Sequence, residues 1–132
     1  MANILNQGTR RSVQAILAVG DNLISREASL WLDSTYFVVG ANGQKELYPG
    51  LILAKDTVND KYVPYNVSAS YGVGSDTAVG ILDTFVDVTW GDQAVAPVFH
   101  GKAIERHCYV HALAIGTIAA DIKTDLADIK WV

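Results

Sequence analysis

The chain has 132 residues, of which 50% are hydrophobic and only 18% are charged. This length predicts a single domain with enough apolar material for a core. A net charge of -4, with Arg10-Arg11 as the one adjacent basic pair, argues against nucleic acid as a partner. The single cysteine excludes an intramolecular disulfide, and no apolar run is long enough to predict a membrane-spanning helix.

The N-terminal region is predicted to be a flexible arm over residues 1–22, followed by the folded domain over residues 23–132. Its first dozen residues are mostly polar and offer little to bury. It also lacks the apolar run of a signal peptide, so we expect the protein to be made in a cytoplasm and to work without processing.

The folded part begins with a pattern typical of strands. Residues 28–32 alternate between apolar and other positions, which predicts a half-buried strand. Residues 36–39 form an aromatic and β-branched run, which predicts a second strand. Residues 51–54 follow a Pro-Gly turn and predict a short buried strand.

Two prolines interrupt the strands predicted next. Pro64 lies within residues 62–67 and cannot donate a hydrogen bond to a neighbouring strand, which favours an edge position or a bulge. Residues 77–90 are the longest β-like run and are predicted to form one strand. Residues 94–100 predict another strand, which contains Pro97.

The C-terminal region changes to a helical period. Four apolar residues fall on one helical stripe: Ile118, Ile122, Leu126 and Ile129. We therefore predict one short helix over residues 118–127, capped by Thr117, and a final short strand over residues 129–132. The fold class is mainly β (α+β), a small β-rich barrel or clip-like domain with one short C-terminal helix, because the strands do not alternate with helices.

The combination of His107, Cys108 and His111 comes closest to a metal site. Two histidines four residues apart can ligate one ion on a helix, and a thiolate could join them. No further cysteine completes the set. We favour the alternative, in which Cys108 is a small buried apolar residue and the histidines lie on a surface turn.

Two other patterns were weighed as sites. The glycine-rich stretch of residues 72–76 lacks the Gly-Lys-Ser/Thr of a phosphate loop, so its glycines are interpreted as turn residues. Asp83, Asp87 and Asp92 lie close in sequence, and paired carboxylates can perform acid–base chemistry. We interpret them instead as charges on a solvent-facing strand edge. We therefore expect no catalytic residue, metal or cofactor, and a protein that is not an enzyme.

An ordered series of short motifs resembles the lambda-type head decoration proteins of tailed bacteriophages. The motifs are Ser-Arg-Glu at 25–27, Pro-Gly-Leu-Ile-Leu-Ala at 49–54, Ala-Val-Gly-Ile-Leu at 78–82, Val-Phe-His-Gly at 98–101, and the helix that leads into residues 129–132. Their order and spacing cover about 110 residues. Residues 1–23 match nothing in that pattern, and Asp128 stands where glycine is common.

The resemblance implies a structural protein on the outer capsid surface of a virion. It implies a homotrimer that binds the major capsid protein at three-fold and quasi-three-fold positions of the expanded head and stabilises it against DNA pressure. The N-terminal arm would pair with strands of the capsid protein. The candidate capsid-binding residues of that arm are Ile4, Leu5, Arg10, Arg11, Val13 and Ile16.

The trimer interface is expected to use the apolar surplus of the chain, because aromatic residues are enriched in interface cores. The candidates are Tyr71, Phe85, Trp90, Pro97 and Phe99. Neither nucleic acid nor a membrane is an expected partner. Two alternatives stay open: another virion-surface or carbohydrate-binding β module, and a small metal-dependent enzyme built on the histidine–cysteine segment.

Overall fold

A computed structural model describes residues 15–17, 24–113, 115–116 and 118–132 of the chain. These residues are mostly β. Their strands are β1 (Ile16–Leu17), β2 (Ser25–Arg26), β3 (Leu30–Trp31), β4 (Glu46–Leu47), β5 (Ile52–Asp56), β6 (Lys61–Pro64), β7 (Ala78–Ile81), β8 (Val86–Asp87), β9 (Ala94–Val95), β10 (Val98–Ala103) and β11 (Ile129–Trp131). Two 3-10 turns (Ser34–Tyr36 and Glu105–His107) and helix α1 (Ala120–Asp125) complete the described elements.

The main sheet is organised around β5, β7 and β10. Strand β5 pairs antiparallel with β6 on one side and with β7 on the other, and β7 pairs antiparallel with β10. Strand β10 changes partners along its length. Its first half pairs with β2 and β7, and its second half pairs antiparallel with β1 and parallel with β11. Two small ribbons, β3–β9 and β4–β8, flank the sheet.

The core covers both faces of the sheet because side chains alternate along each strand. Ile52 and Ala54 contribute to one buried cluster, which also contains the stripe predicted for the C-terminal helix. Leu51 and Leu53 contribute to a second cluster on the opposite face, together with Tyr62. All four β5-region residues are fully buried, so the prediction of a buried strand over residues 51–54 is confirmed.

The prolines have the effects that their missing N–H group predicts. Pro64 lies at the end of β6, which is the last strand in the order of the main sheet, so the edge prediction is confirmed. Pro97 separates β9 from β10, whereas residues 94–100 were predicted to form one strand. That prediction is wrong because a proline cannot donate to the ladder, and the chain changes from a ribbon to the main sheet at this residue.

The prediction of one long strand over residues 77–90 is also wrong. The run is divided into β7, in the main sheet, and β8, in the β4–β8 ribbon. The chain leaves the main sheet at Asp83, whose carboxylate forms an ion pair with Arg26 of β2. The β-like composition of the run reflects two different sheets that follow each other along the chain.

Residues 36–39 do not form the predicted strand. The Asp33 carboxylate accepts hydrogen bonds from the backbone N–H and the hydroxyl of Thr35 and starts the 3-10 turn Ser34–Tyr36. An aspartate at this position favours a turn over an extended strand. Phe37 still fills the core, whereas Val38 and Val39 are exposed.

At the C-terminus, one short helix and a final strand are confirmed, but the helix is shorter than predicted and contains only Ile122 of the four stripe residues. Helix α1 begins at Ala120 with Ala119 as its N-cap, and no side chain caps it. Thr117, the predicted cap, lies outside the described residues. The four stripe residues are all buried, and β11 follows as expected.

Near the N-terminus, the predicted arm includes a strand of the folded body. Residues 15–17 contain β1, which pairs with the second half of β10. Ala15 and Ile16 are buried in the first core cluster. The prediction that Ile16 is an arm residue available to the capsid is therefore wrong for this fold, because its side chain packs inside the protein.

Candidate interaction surface

The His107–Cys108–His111 segment does not form a metal site. Cys108 is fully buried, and burial raises the pKa of its thiol to about 12, so it remains protonated at neutral pH. The Nε2 atom of His111 accepts a hydrogen bond from the backbone N–H of Val38 at 3.1 Å, which occupies that lone pair. Among the residues with described positions, no three His, Cys, Asp or Glu side chains form a group suited to a metal ion.

His111 joins two loops instead. Its ring meets Phe37 edge-on with ring centroids 5.0 Å apart, and burial lowers its pKa. A neutral imidazole is needed here because a protonated ring could not accept from Val38. The favoured interpretation of Cys108 as a buried apolar residue is confirmed, and His111 is a structural contact between the residue 37–40 and residue 109–113 segments.

The three aspartates are separated by their different partners. Asp83 pairs with Arg26, Asp87 accepts from Thr89, and Asp92 pairs with Lys61 at 2.9 Å. The hydrogen bond from Lys61, followed by one from the backbone N–H of Ser34, lowers the pKa of Asp92 to about 2. Each of these carboxylates holds a turn or a strand end in place, which is a structural use of charge.

The glycine-rich loop is a turn, as predicted. Gly72 and Gly74 both have positive φ values, 110° and 97°, and both lie close to the β5 end. A side chain at Gly72 would overlap the carboxylate of Asp56. That buried carboxylate accepts hydrogen bonds from the backbone N–H groups of Val58 and Asn59, so the loop closes against a polar anchor.

The five predicted interface residues differ in their exposure. Trp90 is 91% exposed on the turn that follows β8. Tyr71 and Phe85 are half-buried, and their rings contact Tyr36 and Tyr48 respectively. Pro97 is buried and Phe99 is half-buried on β10. Only Trp90 therefore offers a whole aromatic side chain to a partner, and Pro97 is unsuited to that role because the chain itself covers it.

Five of the predicted capsid-binding residues lie outside the described residues: Ile4, Leu5, Arg10, Arg11 and Val13. Of the sixth, Ile16, the side chain is 4% exposed.

The exposed apolar residues in loops were missed at the level of sequence. Val67 is 71% exposed and Leu113 is 68% exposed, and both line a groove between residues 65–71, residues 110–113 and helix α1. We call this the α1 groove; its open volume is about 360 Å³. The sequence does contain a signal for such exposure. In Asn66-Val67-Ser68, a single apolar residue lies between residues that favour turns, so no strand would direct its side chain into the core.

Trp31 adds a second exposed indole near Trp90. It is 55% exposed, and its backbone pairs with Ala94 in the β3–β9 ribbon. Ala94 is four residues from Trp90, so the two tryptophan Cα atoms lie within about 20 Å of each other. Exposed apolar surface is characteristic of interaction sites, so both indoles are candidates for contact with a partner.

Comparisons with protein families, with curated proteins and with solved structures found no match to this chain. None of the helices in the described ranges has the length and apolar character needed to cross a bilayer.

Proposed function

We propose that this chain is a structural decoration protein of a tailed-phage head. It acts as a homotrimer on the outer surface of the expanded capsid, binds the major capsid protein at three-fold and quasi-three-fold positions, and stabilises the shell. It carries out no chemical reaction. The N-terminal residues before β1 provide contacts to the capsid protein.

The observation that carries the proposal is the exposure of Trp90. Trp90 is 91% exposed, and transfer of its large apolar surface from water to a partner would lower the free energy. Trp31, in the β3–β9 ribbon, is a second exposed tryptophan. Aromatic residues are enriched at the centres of protein interfaces, which supports a function based on protein contact.

The placement of the family-like motifs is consistent with the proposal. Ser-Arg-Glu falls on β2, where Arg26 makes an ion pair with Asp83 and also donates to the carbonyl of Ala96 at 3.2 Å. Ala-Val-Gly-Ile forms β7, and the motif at 98–101 lies in β10. The motifs that resemble the decoration-protein family therefore lie in strands of the main sheet. This supports the proposal that the folded part of the chain is related to that family.

The position of β1 supports a role for the residues that precede it. Strand β1 lies at one end of the strand order of the main sheet, so the chain before Ala15 starts from an edge of the body. A segment that begins at a sheet edge can reach a neighbouring protein and add main-chain hydrogen bonds to it. Three such segments on one trimer would bind with high effective concentration, which can raise avidity by roughly 10²–10⁴.

The direct test uses expanded, undecorated capsids of a candidate virus. Purified protein is incubated with them, and the particles are examined by electron microscopy. We expect additional density at the three-fold and quasi-three-fold positions. Capsids without added density after incubation at saturating protein concentration would contradict the proposal, and specific binding to a glycan array in that case would favour a carbohydrate-binding module.

The contribution of the N-terminal segment is tested by co-sedimentation. The Ile4→Asn/Leu5→Asn variant removes its only adjacent pair of large apolar side chains. We expect this variant to remain in the supernatant under conditions in which the native chain pellets with capsids. Equal pelleting of both proteins would show that these residues do not contribute to capsid binding.

A further inference from the structure

The α1 groove is an apolar surface that the described residues leave open. Val67 and Leu113 both line it and are both mostly exposed. Tyr71, Val110 and Ile122 line its interior and belong to, or pack against, the first core cluster. An occupant with apolar side chains would therefore extend the existing core.

Ala15, which follows residues 1–14 in the sequence, is linked to one wall of this groove by a short series of hydrogen bonds. The carbonyl of Ala15 accepts a hydrogen bond from the backbone N–H of Ile104 at 2.8 Å. The next residue, Glu105, accepts from the backbone N–H of Ile118, which adjoins Ala119 in the wall of the groove. This path of bonded neighbours keeps the Cα atoms of Ala15 and Ala119 within about 20 Å.

The length and composition of residues 1–14 suit that distance. Leu5 is ten residues before Ala15, and ten extended residues span up to about 35 Å. Ile4 and Leu5 form an adjacent apolar pair of a size that fits an open volume of about 360 Å³. The chain between them and Ala15 is therefore long enough to place the pair in the groove.

Charge favours the same arrangement. Residues 1–14 contain two arginines and no acidic residue, whereas residues 15–132 contain eight basic and fourteen acidic residues. Helix α1 carries Asp121, which lines the groove, and Asp125 one turn later. A basic segment is attracted to an acidic face, although the attraction is weakened by salt.

We propose that Ile4 and Leu5 occupy the α1 groove of their own chain, with Arg10 and Arg11 facing the acidic side of α1. The segment would then be held against its own body until a partner competes for it. Because the linker is short, the effective concentration of the pair at the groove is in the millimolar range, so a weak site is sufficient. This inference goes beyond the proposed function, since it concerns the protein before any partner binds.

The test is methyl NMR on the full-length chain without capsids, so its outcome is independent of the decoration proposal. The native chain is compared with the Ile4→Asn/Leu5→Asn variant. We expect the methyl signals of Val67 and Leu113 to move in the variant, while those of Leu53 in the opposite core cluster stay in place. The matched control is Ile4→Leu/Leu5→Ile, which keeps the apolar volume and should keep the native signals.

A peptide of residues 1–11 provides a second measurement. We expect it to bind the double-asparagine variant at least about tenfold more tightly than the native chain, in which the groove is already occupied. The Leu113→Asn variant tests the other side of the contact and should move the methyl signals of Ile4 and Leu5 towards those of the free peptide.

Two results would overturn the inference. Unchanged signals of Val67 and Leu113 in the double variant would show that the pair lies elsewhere. If the methyl signals of Val67 and Leu113 move when the native chain is diluted tenfold, the occupant of the groove dissociates on dilution and is therefore a second copy of the protein.

Discussion

Strand β5 and the loop of residues 65–74 place similar apolar side chains in opposite environments. Ile52 and Leu53 in β5 are completely buried, with paired strands on both sides and a core cluster on each face. Val67 and Val73 in the loop are more than 60% exposed. The comparison teaches that hydrophobicity in this chain serves two purposes: side chains near β5 stabilise the body, and side chains in the loops remain available for contact.

The largest expected effect of burial in the core is on the reactivity of Cys108. A thiol with a pKa of about 12 has about a thousandfold less thiolate at pH 8 than an ordinary cysteine. We expect alkylation of the native protein to be slower than that of urea-unfolded protein by at least this factor. Mass spectrometry of samples quenched over time measures both rates. Equal rates would place Cys108 outside the core.

Leu53→Ala should strongly reduce stability. The substitution leaves a cavity between β5 and the second core cluster, where the surrounding strands cannot collapse freely. We expect the free energy of unfolding to fall by about 3 kcal/mol, or roughly 150-fold in the equilibrium constant, measured by urea denaturation. Val58→Ala, at a residue 72% exposed, is the control and should change it by less than about 0.5 kcal/mol.

The ion pair between Asp92 and Lys61 of β6 should stabilise the protein in a pH-dependent way. The pKa of Asp92 is depressed in the folded state, so the pair stabilises the protein above about pH 4. This contribution is lost as the pH falls towards 2. Solvent screens the partly exposed pair, so we expect Asp92→Asn to cost about 1 kcal/mol at pH 6 and almost nothing near pH 2. A cost that stays constant with pH would show that packing, not charge, is responsible.

Trp90→Ala should have the smallest effect on the isolated body and a large effect on assembly. Since the indole is already in water, its removal should change the free energy of unfolding of a monomer by less than about 0.5 kcal/mol. We expect light scattering at micromolar concentration to show a shift from trimer to monomer. If the native chain is monomeric both in solution and on capsids, there is no trimer interface for Trp90 to stabilise, and the prediction is wrong.

Much of the buried core around β5 could be predicted from the sequence, whereas much of the exposed loop structure could not. Residues 51–54 are apolar between turn signals, and that buried strand is confirmed. The four residues of the predicted helical stripe are all buried, although only Ile122 lies in helix α1. The division of residues 77–90 was missed because it depends on which distant strands each half contacts: β7 pairs with β5 and β10, whereas β8 pairs with β4. Local pattern contains no information about such a distant contact.

The candidate surface shows the same limit. Trp90 was predicted from the sequence to be an interface residue, and its side chain is exposed. Pro97 was selected for the same reason and is buried. The α1 groove was not anticipated, because residues 65–71 and 110–113 are brought together only by the tertiary fold.

The change of partners along β10 has a consequence for how quickly the protein reaches its native state. Ile16 pairs with Ala103 across a sequence separation of 87 residues, and the same half of β10 also receives β11. Closing so large a loop costs chain entropy before any contact repays it. We therefore expect single-domain refolding on the millisecond-to-second scale that is typical of non-local β topologies, with β1 joining late.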